Sequence, residues 1–366
     1  MFKVLVISYY FPPKGLSGVQ RTLKFVKYMP QNGWSPTVLT SGDIAYYAYD
    51  DKLNKDLADP AISVVRVNGK EINSLLGKRK IISIPPEWFR KVLKFFSSLF
   101  YIPDNKWSWG KAAFKEASKL LEKEKFDLIF VTGPPFSSVP FAVKLKKKFN
   151  IPLVVDYRDL WFGNHFAVYP TPLHRVLIKS MEYAALKEVN KITVTNRRIK
   201  EKLKEVYPFL KFDDILIVPH GFDIEDIEKA SGYPKLTKKM VIMYSGIFYE
   251  YITPKYFLLA FKKLVKERPE IASDIELHFA GFFRKENHRL VRKLNLQNWV
   301  VDHGYLSHDD ALKKVMAADL LWFMVGKGKN ADTISSSKLF EYFGTKKPVL
   351  ASLPEGALKM YSREYA

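Results

Sequence analysis

The sequence predicts an α/β protein of two parallel-sheet lobes facing a central cleft. Three observations predict it. Short β-branched and apolar runs alternate with amphipathic stretches of helical length, the pattern of a parallel sheet with crossover helices. The alternation pauses once, in the polar segment HGFDIEDIEKASGYPKLTKK after Pro219, and then resumes. At 366 residues the chain is also long for one core, since a domain averages roughly 150 residues.

In the first lobe, strands are expected at 4–8, 37–40, 63–67, 128–132, 153–156, 191–195 and 215–218, with helices at 19–31, 111–124, 138–148 and 172–188 among them. The polar segment after Pro219 reads as the linker, which gives lobes of 1–235 and 236–366. The second lobe offers strands at 241–245, 275–280, 300–303, 320–323 and 348–352. It is shorter, with 126 residues from Val241 onward against 240 before it, and it stops soon after its last strand. A few helical residues follow that strand, and either a truncated chain or a missing closing helix is expected.

With 47% hydrophobic and 27% charged residues the composition is that of a folded globular protein, enriched in aromatics at 15%. The chain has no cysteine, which excludes disulfides, thiolate metal ligands and cysteine nucleophiles and fits a reducing compartment, so a cytoplasmic location is expected. MFKVLVISYYFPP reads as a first strand rather than a signal peptide. The apolar run 316–325 is broken by Asp319, and no window reaches the roughly 18 apolar residues of a spanning helix. A formal charge of +21 draws polyanions: nucleic acid, anionic lipid or phosphorylated substrates. Zinc-finger spacing, an aromatic RNP-type strand and basic heptads are all missing, so no nucleic-acid partner is expected.

EWFRKVLKFFSSLFY fits neither lobe's rhythm. Phe89, Val92, Leu93, Phe96 and Phe100 recur at helical steps, with Arg90, Lys91 and Lys94 opposite. Such a helix lies in a membrane interface or packs as a lid on its own lobe. The first reading would put the protein peripherally on the inner face of an anionic membrane.

Ligands of a parallel sheet bind beyond the carboxyl ends of its strands, so the loops that follow strands deserve the closest reading. In SYYFPPKGLSGVQR, Gly15 and Gly18 allow backbone approach to a ligand at a helix start, or simply make a tight turn. TGPPFSS is a stiff turn in which Ser138 is expected to cap the next helix. DYRDLWFGN crowds Asp156, Arg158, Asp159, Trp161 and Asn164 behind an apolar strand, a density that calls for a polar ligand or for internal pairing. In SSSKLFEYFGTKKPVLAS, Ser335, Ser336 and Ser337 open a helix. Lys338 follows them in its first turn, and Glu341 lies three residues on. Hydroxyls and bare amides there hold a diphosphate, Lys338 neutralises it and Glu341 accepts ribose hydroxyls; the alternative is an ordinary capped helix start.

This last segment resembles the signature region of retaining family 4 glycosyltransferases of the GT-B fold, a pair of Rossmann-like lobes. The likeness continues, in order, through YYFPP, GVQR, TGPPFS, DYRDLW, IVPHGFD, MYSGIFY and GYLSHDDALKKVMAADLL. It implies that Glu341 holds the donor ribose, that Gly246 lets backbone approach the donor phosphates, and that Tyr305 and Leu306 read the nucleobase. Arg158 and Asp159 fall where many relatives carry a His-Asp pair beside the reacting sugar. Two departures stand out. The first Glu of the family's Glu-x7-Glu motif is Thr333 here, with Asp332 one place away. The Arg and Lys expected after the phosphate glycine are also missing from GIFYEYITPKY, which leaves Lys338, Arg284 or the GKGKN loop to neutralise phosphate.

The resemblance implies transfer of a sugar from a UDP- or GDP-sugar to a glycan or lipid-linked acceptor in surface polysaccharide synthesis, with retention. No cofactor and no metal is expected, since no Asp-x-Asp cluster is present. The rivals are a nucleotide-sugar 2-epimerase, for which His220 is the one histidine that sequence reasoning places near the cleft, and a non-catalytic scaffold.

Overall fold

Each strand expected from the sequence forms. The structure, a computed structural model, describes residues 1–250 and 252–365. The first sheet holds β1 (Phe2–Ile7), β2 (Trp34–Ser41), β3 (Ser63–Val67), β4 (Leu128–Gly133), β5 (Leu153–Tyr157), β6 (Lys191–Val194) and β7 (Ile215–Ile217). The second holds β8 (Met240–Ser245), β9 (Ile275–Ala280), β10 (Val300–Asp302), β11 (Leu320–Met324) and β12 (Val349–Ser352). Helices α1 (Ser17–Tyr28), α2 (Ile72–Leu75), α3 (Glu87–Phe100), α4 (Trp107–Lys123), α5 (Ser138–Phe149), α6 (Pro172–Leu186) and α7 (Arg197–Val206) run through the first half. Helices α8 (Ile224–Ala230), α9 (Lys255–Glu267), α10 (Pro269–Ser273), α11 (Lys285–Lys293), α12 (His308–Ala317), α13 (Ser337–Gly344) and α14 (Ala357–Glu364) run through the second.

The strand orders are β3-β2-β1-β4-β5-β6-β7 and β10-β9-β8-β11-β12, and every pairing is parallel. The first compact unit comprises Met1–Ile84, Arg90–His220 and Thr333–Ser335. The second comprises Pro85–Phe89, Gly221–Asp332 and the chain from Ser336 onward. The division thus falls at His220 and not at 235, for a packing reason. Helix α8 lies against α12, and the Phe222 ring lies 2.6 Å from where a Cβ on Gly344 would stand.

Successive side chains of a strand point to opposite faces, and β1 shows the result. Val4 and Val6 join Val19, Leu23 and Val26 of α1 in one core, while Leu5 and Ile7 join Trp109, Ala113 and Ala117 of α4 in the other. Helix α1 carries its apolar residues at three- and four-residue steps and stops before Pro30, which cannot continue a helix. Thr171 and Asn196 cap α6 and α7, as their side-chain oxygens favour. The second unit's core is aromatic, with Tyr244, Phe248, Phe279, Phe283 and Trp322.

At the carboxyl end of β5, Asp156 is in register with Thr132 of β4 and Thr193 of β6. Both threonine hydroxyls donate to its carboxylate, at 3.1 and 2.8 Å. Arg21 of α1 meets it at 2.9 Å, with the two side chains 2% and 1% exposed. Burial works against ionisation of Asp156, but Arg21 and the hydrogen bonds hold its carboxyl below the usual range. Arg21 also donates to the carbonyls of Val218 and Pro219, each at 2.9 Å. Removing one partner of such a pair leaves a buried charge uncompensated. Asp156→Asn is therefore expected to cost about 3–5 kcal/mol, seen as a lower urea midpoint for the first unit; an unchanged midpoint would refute this account.

Candidate functional site

In the second unit three neighbouring strands end on glycines with positive φ: Gly246 after β8 (144°), Gly281 after β9 (124°) and Gly304 after β10 (64°). They are laced by backbone, with the Gly246 N–H donating to Ala280 O and the Gly281 N–H to Gly304 O, both at 2.7 Å. A Cβ on Gly281 would stand 2.1 Å from Gly246 O, so only glycine fits. A Cβ on Gly246 would stand 2.1 Å from Lys338 Nζ. The expected phosphate glycine is thus also what makes room for the expected phosphate lysine.

Lys338 lies in the first turn of α13, whose N-cap Ser336 makes no side-chain cap bond. The leading amides of that helix keep the donor capacity and positive dipole that suit an anion. Its Nζ donates to Tyr244 Oη at 3.1 Å and sits over the Tyr244 ring, 4.2 Å from the centroid. Burial among these rings pushes the ammonium down to about 7, with Glu341 pulling the other way. Tyr342 of the same helix accepts from the Ser245 N–H at 2.9 Å, which fixes α13 to the end of β8.

Glu341 accepts from His308 Nε2 at 2.7 Å, and His308 Nδ1 lies 3.8 Å from Asp226 Oδ2. Sequence reasoning missed both His308 and Asp226; the available signal was Ser307, which caps α12 and so sets His308 at the helix start. Tyr305 and Leu306 are half-buried in the loop beyond Gly304, the Tyr305 ring stacked on Phe282 at 5.4 Å.

Arg284 departs from expectation. Its side chain is 8% exposed and pairs with Glu87 at 2.6 Å and Glu286 at 3.3 Å, and it donates to Pro85 O at 2.8 Å. With two carboxylates and a carbonyl on its fork, it ties the segment before α3 to the start of α11 and has no charge left over for a phosphate.

The first unit corrects two more expectations. Arg158 is 8% exposed, and its guanidinium donates to the carbonyls of Gly18, Pro134 and Gly133. It ties the loops after β4 and β5 to the start of α1. Gly18 is the first-turn residue of α1 that offers one of those carbonyls. Ser138 does not cap α5; its hydroxyl donates to Pro135 O at 2.8 Å. The N-cap position is Ser137, which makes no side-chain cap bond; its own N–H donates to Asp104 at 2.9 Å, a contact that sequence reasoning missed. Asp159 is half-buried and feels the Arg158 charge, and among the described residues it takes no hydrogen bond. His220 is pushed down to about 3 by burial and by Arg21, so its imidazole is neutral at physiological pH.

Two lobes of parallel sheet, each opening its strand ends onto polar loops, define a GT-B protein, and the sequence pattern of Glycosyltransferase Family 4 matches residues 17–226. The chain belongs to that family and is a glycosyltransferase. The fold is similar to sucrose-phosphate synthase from Thermosynechococcus elongatus, with a TM-score of 0.60 and 15% identity over 98% of this chain and 83% of that one. It is similar to WaaG, a glycosyltransferase involved in lipopolysaccharide biosynthesis, with a TM-score of 0.58 and 13% identity over 99% and 84%. It is also similar to S. aureus MnaA solved with UDP, with a TM-score of 0.54 and 13% identity over 100% and 82%. No curated protein matches the sequence.

If Lys338 meets the diphosphate, binding raises its pKa and takes up a proton. Affinity for a nucleoside diphosphate is then expected to fall as pH rises above about 7, by at most about tenfold per unit. Titration calorimetry across pH 6.5–9 on the order of half-unit steps checks the sign, and Lys338→Ala should flatten the profile. A slope that survives in Lys338→Ala would assign it to another group.

Proposed function

We propose that the enzyme moves a glycosyl group from a UDP- or GDP-sugar to a glycan or lipid-linked acceptor in surface polysaccharide synthesis, with retention at the anomeric carbon and without a metal. The observation that carries this reading is the Lys338 ammonium set against Gly246 at the start of α13. The bond that breaks joins the anomeric carbon to a β-phosphate oxygen, and negative charge grows on the departing diphosphate. Lys338 and the leading amides of α13 neutralise that charge, the role otherwise given to a divalent cation. The glycine-ended strands let phosphates approach the backbone, Glu341 takes the ribose hydroxyls, and Tyr305 and Leu306 flank the base. In the first unit Asp159 accepts from the attacking hydroxyl, while Arg158 holds the loops that carry it.

Helix α3 supports a lipid-linked acceptor and a peripheral place on an anionic, inner membrane face. None of its residues is buried. Trp88, Phe96 and Phe100 are 69%, 52% and 74% exposed, and Arg90, Lys91 and Lys94 share the helix. Folding alone gives no reason to expose so much aromatic surface beside cations, whereas an anionic interface buries the rings and attracts the charge. No helix among the described residues is long and apolar enough to cross a membrane.

Two measurements check these readings. Release of nucleoside diphosphate from a panel of UDP-, GDP- and ADP-sugars in EDTA should identify one donor, and the anomeric coupling of the product should match that donor's. Inverted product, or turnover that needs an added cation, would overturn the chemistry. In flotation with phosphatidylcholine vesicles containing phosphatidylglycerol, the protein should rise with the lipid and the double variant Phe96→Glu, Phe100→Glu should not. Equal recovery with and without vesicles would remove the membrane.

A further inference from the structure

Glu341, His308 and Asp226 come from three helices of the second unit, α13, α12 and α8. Nothing in the family resemblance links them. The side chains of His308 and Glu341 are 16% and 25% exposed, and that of Asp226 is 4% exposed. An ionised carboxylate only accepts hydrogen bonds, so the 2.7 Å contact places a proton on Nε2 of His308. The other ring nitrogen lies 3.8 Å from Asp226, beyond hydrogen-bond distance, so the bond to Glu341 is what orients the ring. A largely buried histidine at a helix start is a stiffer donor than a lysine on a flexible stem.

A glutamate recognises a diol better when something fixes it, because ordering a long side chain costs rotamer entropy. The bond from His308 fixes the plane of the Glu341 carboxylate in advance. It does so without exhausting the group, which has about four lone-pair directions. The sequence adds a reason why such a brace is needed. Thr333 stands where the family motif has its other glutamate, so Glu341 works without that second carboxylate.

We infer that His308 is a positioning residue which, through Glu341, sets the preference for ribose over deoxyribose in the nucleotide donor. This rests on Glu341 being the ribose ligand. The test uses whichever of UDP, GDP and ADP binds, compared by calorimetry with its 2′-deoxy form, on the full chain. The wild-type protein should favour the ribonucleotide by about tenfold or more, as expected for a hydrogen bond to a charged group. In His308→Ala the ratio should fall to about twofold, mainly through weaker ribonucleotide binding, with deoxynucleotide binding little changed. His308→Gln, whose amide also donates, should recover most of the ratio and covers the case in which the alanine variant fails to fold. Equal weakening toward both sugars in His308→Ala, with the ratio kept, would make His308 a purely structural tie and overturn the inference while leaving Glu341 in place. No discrimination by the wild-type protein would remove Glu341 from the ribose, and the inference with it, while the diphosphate reading at Lys338 stood on its own pH profile.

Discussion

The carboxylate of Asp156 is the knot of the first unit. It sits at the carboxyl end of a central strand, accepts from threonines on both neighbouring strands, and pairs with an arginine 135 residues away in sequence. That arginine carries the connection to the two carbonyls that lead the chain out of β7. An apolar cluster of the same volume could match the stability of a buried ion pair, but it could not hold two carbonyls and two hydroxyls at fixed positions. The same strand ends launch the loops bearing Gly133, Arg158 and Thr195, whose hydroxyl donates to Arg158 O. The loops at this end of the sheet therefore take their positions from a buried ion pair.

The second unit handles its strand ends by a different device. Where the first ties loops together with arginines, the second removes side chains, so that backbone meets backbone at Gly246 and Gly281. The cations of the two units differ in what holds them. Arg21, Arg158 and Arg284 spend their donors on carboxylates and carbonyls of the chain itself. The ammonium of Lys338 is held by a phenol oxygen and ring faces, neutral groups that dehydrate it without neutralising it.

How much of this was legible in the sequence follows from the distance over which each feature is decided. Strands such as Leu153–Tyr157 were legible because a β-branched run between helical stretches is a local signal. So was the grouping of Lys338 with Glu341, since one turn of helix sets it. The fate of Arg284 was not, because its partner Glu87 is 197 residues away. Nor was the acceptor of the Ser137 N–H at the start of α5, Asp104, 33 residues upstream. Residue type and near neighbours identify which groups could act; distant partners decide which are already taken. His308 escaped for the same reason, its acceptor lying 33 residues on.

One of the departures from the family pattern, the missing bases after Gly246, then has a physical sense. The residues after Gly246 are not basic, and among them Phe248 is 3% exposed and stacks on Tyr244 with centroids 4.3 Å apart. That stack belongs to the aromatic wall of the second core and packs with Trp322. A cation in the place of Phe248 would have to be buried against it. Moving the positive charge to Lys338 keeps the wall and puts the ammonium at its rim, where burial lowers its pKa to about 7. A lysine so placed is only partly charged near neutral pH until an anion arrives, whereas an arginine in the same place would be charged at all times. The aromatic core behind Gly246 is thus what makes the charge of Lys338 conditional on pH and on its surroundings.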